Sequence, residues 1–463
     1  MRVAIVGGGI SGLALAERLA AEGAEPVVLE AAGRVGGKVG SFRKDGFTLE
    51  CGPNGFLDKE PKTLELADRI GLGGELHRAS PVAGRRWIHV RGALREVPTR
   101  PQAFLRSDVL PWPAKVRLAM ELFTEPKPEG KDESIAEFGR RHLGERATSD
   151  LLGAMVLGIY GGDVERLSLQ SCFPRMAELE REHRSLLLAM IRLQRERRKA
   201  LPQPGAPAAG GPAGPGGVLT SVEGGLGAYV ARLGERLGPV VHAGVRVEGL
   251  ERAGGRWLLH TTQQGAAASL EADAIALAVP ADEAARLVAP LDPALADLAG
   301  GIGYAPMAVV HLAWPRERIA HPLDGFGFLI PPNQNKRILG AIFTSSIFPW
   351  RAPEGQALLT AMVGGAIRPE LALGSEASIA AIAREELAAI IGAQGDPSLC
   401  EVVKWERAIP QYVVGHEARR TEADARASRL PGLVLAGNAW RGIGFNDCVA
   451  AAPMLAARLL GRG

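Results

Sequence analysis

The residues with the clearest chemistry lie near the amino terminus. Gly7-Gly8-Gly9-Ile10-Ser11-Gly12 carries glycines at 7, 9 and 12, the G-x-G-x-x-G spacing. Gly7 permits a tight turn, Gly9 lets the backbone approach a pyrophosphate, and Gly12 lets a following helix pack close to the preceding strand. Free N–H groups at the helix start then hold the phosphate charge. Glu30 lies 18 residues beyond Gly12, close to the ~20 at which a carboxylate meets ribose hydroxyls. Arg34-Val35-Gly36-Gly37 follows. An arginine fork can grip a pyrophosphate, and paired glycines let the chain run along an extended ligand. This is dinucleotide-binding chemistry, with NAD and FAD both open at this point.

These residues need a strand-turn-helix-strand unit to position them. Arg2 to Val6 is a short apolar run that ends in glycines, Ile10 to Ala21 reads as a helix with Leu13, Leu15, Ala16 and Leu19 available for burial, and Pro26 to Leu29 reads as a second strand. Together they open a doubly wound parallel sheet. From Asp108 to Lys199 the chain is rich in helix formers, as in Ile135 to Leu143 and Ser168 to Lys199; this predicts a helical insert. The insert ends in Pro202 to Gly217, a Pro/Gly/Ala stretch expected to form a mobile loop because it cannot build a core. Beyond it, Gly225 to Leu237 reads as a helix, with strands at Val245 to Leu250, Arg256 to Thr262 and Ala274 to Val279. Met307 to Trp314, Gly325 to Ile330, Ile338 to Phe343 and Ala357 to Val363 predict a second, mixed sheet. Leu433 to Ala436 and a helix from Asp447 to Leu460 close the chain.

A chain of 463 residues exceeds what one hydrophobic core supports, so two or three domains are expected. Hydrophobic residues at 46% and charged residues at 23% fit a soluble globular protein. A net charge of +3 argues against nucleic acid as a partner, and basic residues must act locally. Cys51, Cys172, Cys400 and Cys448 are far apart with no CxxC pair, which suits neither a disulfide framework nor a metal site and fits a reducing cytoplasm. With a strand starting at Arg2 no leader is expected, and no apolar run reaches the ~18 residues of a spanning helix. Any membrane contact is then peripheral, on the inner face of the cell membrane. Arg192, Arg195, Arg197, Arg198 and Lys199 follow the apolar run Leu186 to Ile191. That cluster suits either anionic lipid headgroups or a solvated helix end.

The spacing E-x(3)-R-x-G-G from Glu30 to Gly37 resembles the extended fingerprint of the FAD-dependent amine oxidase superfamily. Leu435-Ala436-Gly437-Asn438 and Gly442-Ile443-Gly444 are similar to the second half of its flavin site. Within that superfamily, an ordered series of segments resembles the protoporphyrinogen oxidases. It runs through Gly52-Pro53-Asn54, Gly158-Ile159-Tyr160-Gly161-Gly162-Asp163, Cys172-Phe173-Pro174, Gly325 to Pro331, Met362-Val363-Gly364-Gly365, Ile409-Pro410-Gln411-Tyr412 and Asn446-Asp447-Cys448. The resemblance covers nearly the whole chain outside 202–217. It implies an α/β fold: a Rossmann-like FAD-binding domain, a mixed-sheet substrate domain and a helical insert of the membrane-binding type.

Position by position, the resemblance implies a non-covalent FAD held by Gly7, Gly9, Ser11, Gly12, Glu30, Arg34, Gly37, Gly52, Pro53, Asn54, Val247, Gly437, Asn438, Gly444 and Val449. It implies a substrate pocket in which Arg86 pairs with a propionate, with Arg85 as the alternative register. Phe326, Leu329, Ile342, Met362 and Ile409 are its apolar wall, and Gly158 approaches the macrocycle. A flat tetrapyrrole with acidic arms needs such a slot and such an anchor. The implied reaction is oxidation of protoporphyrinogen IX to protoporphyrin IX by oxygen, with release of hydrogen peroxide, in haem biosynthesis. No side chain is assigned as a general base. A coproporphyrinogen III oxidase of the same fold is the nearest alternative. An amine oxidase is disfavoured because Tyr304 to Trp314 holds no lysine, a carotenoid desaturase shares only the flavin fingerprint, and a non-catalytic porphyrin carrier is the reading from another class. Residues 1–80, 218–285 and 415–463 are expected to form the FAD domain, 81–100 and 286–414 the substrate domain, and 101–217 the insert. A homodimer and hand-off of product to a chelatase are further expectations.

Overall fold

The computed structural model describes residues 1–98, 101–124, 127, 130, 132–183, 185, 192 and 216–462. Its first sheet has five parallel strands in the order Val241–Ala243, Glu25–Glu30, Arg2–Val6, Ala274–Leu277 and Leu433–Leu435. Val3, Ala4 and Ile5 are fully buried because helices cover one face and helices with a three-stranded sheet cover the other, which is why this strand reads as an unbroken apolar run. The helix Ile10–Ala21 buries Leu13, Leu15, Ala16 and Leu19, as its spacing predicts. The closing helix differs from expectation: it is two helices, Phe445–Ala450 and Ala452–Leu459. Pro453 has no N–H to offer the preceding turn, so the ladder breaks there.

The second sheet has seven strands, in the order Leu399–Pro410, Tyr304–Pro315, Gln356–Gly364, Ile338–Ile342, Gly327–Leu329, Trp87–Val90 and Ala93–Glu96. It is mixed, as expected: Gly327–Leu329 pairs parallel with Trp87–Val90, and the other pairs are antiparallel. The expected strands at Val245 to Leu250 and Arg256 to Thr262 form a separate antiparallel sheet with Ala266–Ala272. The strands that the pattern does not predict include Ala266–Ala272 and Leu399–Pro410. Ala266–Ala272 is alanine-rich, and Leu399–Pro410 is an edge strand carrying Glu401, Lys404, Glu406 and Arg407, the charge pattern typical of edges.

The insert is helical where it is described, with helices at Trp112–Ala119, Ile135–His142, Gly153–Tyr160, Leu169–Cys172 and Pro174–His183. The expected long helix from Ser168 stops at Phe173 because Pro174 cannot continue it. Residues 202–215 of the expected loop, the apolar run 186–191 and the basic residues 195–199 lie outside the described residues. Among the described residues, no helix is long and apolar enough to cross a membrane.

Candidate active site

The glycine turn sits at the carboxyl edge of the parallel sheet, where the first strand has neighbours running out in both directions. This is the crevice at which open α/β sheets bind ligands. Gly7 has φ +108°, and a Cβ there would lie 2.5 Å from the Ala278 carbonyl oxygen. At Gly12 a Cβ would lie 2.0 Å from the Gly7 oxygen. A Cβ at Gly9, by contrast, would meet nothing within 4 Å. The turn is therefore closed on its flanks and open at Gly9, the form a pyrophosphate cradle requires. Gly9 precedes the first turn of helix Ile10–Ala21, whose leading amides bear the positive end of its dipole.

The neighbouring segments converge on the same place. Glu30 accepts from the Gly8 amide at 2.7 Å and the Ala32 amide at 2.8 Å. That occupies two of the roughly four lone-pair positions of a carboxylate and leaves the others for ribose hydroxyls. Gly36 donates its amide to the Gly8 carbonyl at 2.8 Å, and Gly37 faces the Cα of Gly9. Arg34 is exposed and folds back on its own loop, donating to the Gly37 carbonyl at 3.2 Å. From the far end of the chain, Gly437 (φ +93°) packs on Ala278. Asn438 is held by Tyr412, whose hydroxyl donates to its carbonyl at 2.5 Å and accepts from the Gly442 amide at 2.9 Å. Gly444 donates to Asp447 at 2.9 Å. Ser11 is buried at the start of the first helix. Val247 and Val449 are core side chains, 4% and 3% exposed, so only their backbone atoms are available to a ligand. Together these residues suit FAD, whose length requires both ends of the chain.

The Gly52-Pro53-Asn54 loop joins this cradle to the seven-stranded sheet. A Cβ at Gly52 would lie 2.6 Å from the Lys38 carbonyl, so the loop runs directly along the Gly36-Gly37-Lys38 backbone. Asn54 is held by Arg351, a residue with no local sequence signal. Lys38, which directly follows the paired glycines, has no such signal either. It donates to the Ala408 carbonyl at 2.7 Å and lies 4.9 Å from the centre of the Tyr304 ring. Burial, reinforced by the Arg407 charge, brings its pKa down to about 8.

The seven-stranded sheet has two unlike faces. Ala357, Leu359, Ala361 and Val363 point to the helix Glu376–Ile391 and are buried at 2% or less. On the opposite face, Leu329, Gly340 and Met362 are aligned across three strands, with Ile342 opposite Gly327. This face meets the cradle side of the molecule: His311, paired there with Thr360, also bonds the Glu50 carbonyl at 2.9 Å. Phe326, Leu329, Ile342, Met362 and Ile409 are all half-buried. A sequence reading with no family behind it would make them ordinary core. Gly158 closes on this wall, since a Cβ there would lie 2.5 Å from a Leu329 methyl.

The two neighbouring arginines differ in their surroundings. Arg85 is tied up, bonded to Glu96 at 2.8 Å and also to Asp324. Arg86 is exposed and, among the described residues, has no ion-pair partner. It stands beside the wall, because the Arg85 carbonyl accepts from the Phe326 amide at 2.8 Å.

Comparison with known proteins bears on this geometry. The family model described as flavin containing amine oxidoreductase matches residues 10–460. The chain is 31% identical to the coproporphyrinogen III oxidase of Bacillus subtilis (strain 168), across 96% of this chain and 95% of that protein. It is 32% identical to the chloroplastic protoporphyrinogen oxidase of Nicotiana tabacum, across 99% of this chain and 85% of that one. A crystal structure from Exiguobacterium sp. 255-15, described as a candidate protoporphyrinogen oxidase, superposes with TM-score 0.83 at 25% identity, covering 100% of this chain and 99% of that chain. Cyclohexylamine oxidase from Brevibacterium oxydans IH-35A shares the fold, with TM-score 0.71 at 18% identity, over 99% and 98% of the two chains. With a pyrophosphate cradle completed by both ends of the chain, and a family match over nearly its whole length, this chain belongs to the flavin-containing amine oxidoreductases and is an FAD-dependent oxidase.

Proposed function

We propose that this chain is an oxygen-dependent porphyrinogen oxidase that converts protoporphyrinogen IX to protoporphyrin IX. The observation that carries the reading is the half-buried apolar face of Leu329, Ile342 and Met362, turned toward the cradle, with Arg86, unpaired among the described residues, at its margin. A flat macrocycle lies along such a face, and its propionate meets the guanidinium in a bidentate pair. FAD held by the glycine turn and the Gly437-Asn438 segment would supply the hydride-accepting chemistry, with oxygen as the final acceptor and hydrogen peroxide as the by-product. The protein's part is to hold the ring, shield it from bulk water and keep its orientation over three two-electron rounds. No side chain is required as a general base in this scheme.

A second reading has its own support: the Bacillus subtilis relative is a coproporphyrinogen III oxidase, and the match spans 95% of it. The two substrates differ in the number of carboxylates that the pocket must neutralise. Aerobic turnover of the purified protein with both porphyrinogens in parallel, followed by porphyrin fluorescence, decides between them. Preference for coproporphyrinogen III moves the enzyme to that branch. Turnover of neither sinks the porphyrinogen reading.

The expected partition into an FAD domain, a substrate domain and an insert remains part of this proposal, as does a cytoplasmic enzyme resting on the inner face of the membrane. The insert supports the second point with a cluster of exposed apolar side chains. Trp112 is 67% and Phe123 79% exposed, with Leu105, Val116, Met120 and Leu122 nearby in sequence. A homodimer and hand-off of product to a chelatase complete the proposal.

A further inference from the structure

Arg351 is, among the described residues, the one arginine the fold buries completely. It ends the short turn Pro349–Arg351 that precedes the strand Gln356–Gly364. Its Nη2 donates to Glu50 at 2.6 Å, to the Asn54 carbonyl at 2.9 Å and to Ser221 at 2.9 Å, and its Nη1 donates to the Asn54 side chain at 3.2 Å. The guanidinium also lies 4.5 Å from the centre of the Phe348 ring. Glu50 is equally buried, and it takes the Leu226 amide at 2.9 Å and the Ser41 hydroxyl at 2.5 Å. One planar fork thus ties a turn of the seven-stranded sheet to the last residue of the antiparallel pair Ser41–Lys44 and Phe47–Glu50, to the Gly52-Pro53-Asn54 loop and to the strand Leu219–Val222.

A buried ion pair is a poor means of adding stability. The desolvation of both charges rivals their attraction, and well-packed apolar replacements are often as stable. What a fork of fixed geometry does provide is position, because it holds several acceptors at set angles. The loop it holds is fixed on its other side as well. Cys51 donates its amide to the Gly40 carbonyl at 2.7 Å, the Trp405 indole donates to the Cys51 carbonyl at 2.6 Å, and Gly52 lies against Lys38. The loop therefore stands between the cradle and Arg351 with little room to shift.

We infer that Arg351 is a positioning residue that acts through Asn54. It sets the Gly52-Pro53-Asn54 loop against the flavin and so fixes the spacing between flavin and apolar wall. The inference rests on the porphyrinogen reading only for the choice of turnover substrate.

The test uses holoenzyme of Arg351→Lys, Asn54→Ala and the double variant. It compares the visible spectrum of bound FAD, the rate of FAD release, and kcat and KM with whichever porphyrinogen the wild type turns over. Arg351→Lys keeps the charge but loses the fork. It should perturb the flavin spectrum and lower kcat by about tenfold or more, with KM changed by less than about twofold, because misplacement rather than lost affinity is at fault. Asn54→Ala should move the same quantities in the same direction, and the double variant should be no slower than Arg351→Lys alone. Multiplying losses, or a spectrum and kcat that stay at wild-type values in Arg351→Lys, would overturn the inference. If Arg351→Lys does not yield holoenzyme, Asn54→Ala decides, since it strands no charge: an unchanged flavin spectrum and FAD release rate count against the proposal. Absence of porphyrinogen turnover in the wild type refutes the functional reading instead, and the spectral and release measurements still judge Arg351.

Discussion

At the cradle the chain offers a ligand its backbone, and at the wall it offers side chains. Gly7 and Gly12 leave no room for a Cβ, and Gly9 leaves its side open, so each residue type follows from local geometry. The wall gathers Leu329, Ile342, Met362 and Ile409 from four strands and Phe326 from the bend that leads into one of them, and any apolar residue of similar size would satisfy the local backbone. A site made of backbone tolerates almost no substitution. A site made of apolar surface tolerates many, with graded effects on affinity. The strand Gln356–Gly364 sharpens the contrast, because Leu359 faces the core and Met362 the wall within three residues.

The largest effect is expected at the cradle. Gly12→Val places methyl groups where even a Cβ would be 2.0 Å from the Gly7 oxygen, so the purified protein should be colourless, as read from its absorbance at flavin wavelengths. A variant that keeps its flavin would break the distinction between the two regions. Next come the two faces of one strand. Leu359→Ala should cost about 2–5 kcal/mol in denaturant unfolding, the usual price of a core cavity. Met362→Ala should cost far less stability and act mainly on KM for the porphyrinogen. Equal losses of stability would mean that Met362 is core after all.

At the margin of the wall, Arg86→Ala removes one charge-assisted pair worth about 1.5–3 kcal/mol. KM should rise by roughly tenfold or more while FAD stays bound; parallel loss of FAD would place Arg86 elsewhere. The last effect is a pH slope rather than a loss at neutral pH, and it concerns His311, behind the wall. Burial holds its pKa down to about 4, against an ordinary 6.5, so the folded state keeps it neutral while an unfolded chain takes up the proton. Its contribution is present above about 6.5 and is lost as the pH falls toward about 4, by up to about 1.4 kcal/mol per pH unit. His311→Gln should flatten that slope in pH-dependent unfolding. An unchanged slope would show that other groups govern it.

How much was readable in the sequence follows the same division. Apolar spacing predicts a helix from Ile10 to Ala21 that buries Leu13, Leu15, Ala16 and Leu19, and the helix spans those residues in the structure. The five expected positions of the wall came from resemblance, since nothing in their local pattern separates a slot from a core. In the structure all five are half-buried rather than fully buried. Arg85 and Arg86 were indistinguishable in sequence, and only the carboxylates of Glu96 and Asp324 separate them.

By itself, the sequence determined the dinucleotide turn, its acidic partner Glu30, the opening strand-helix-strand unit and the presence of a second mixed sheet. These depend on short-range rules of glycine geometry and apolar periodicity. Only the tertiary structure decided that Glu50 and Arg351 would meet in a buried pair, that Lys38 would reach the Ala408 carbonyl, and that Tyr412 would hold Asn438. Glutamate, lysine and arginine are ordinarily surface residues, and their burial here depends on partners far away in sequence. Such pairings leave no periodic trace along the chain and arise only when the fold brings the segments together.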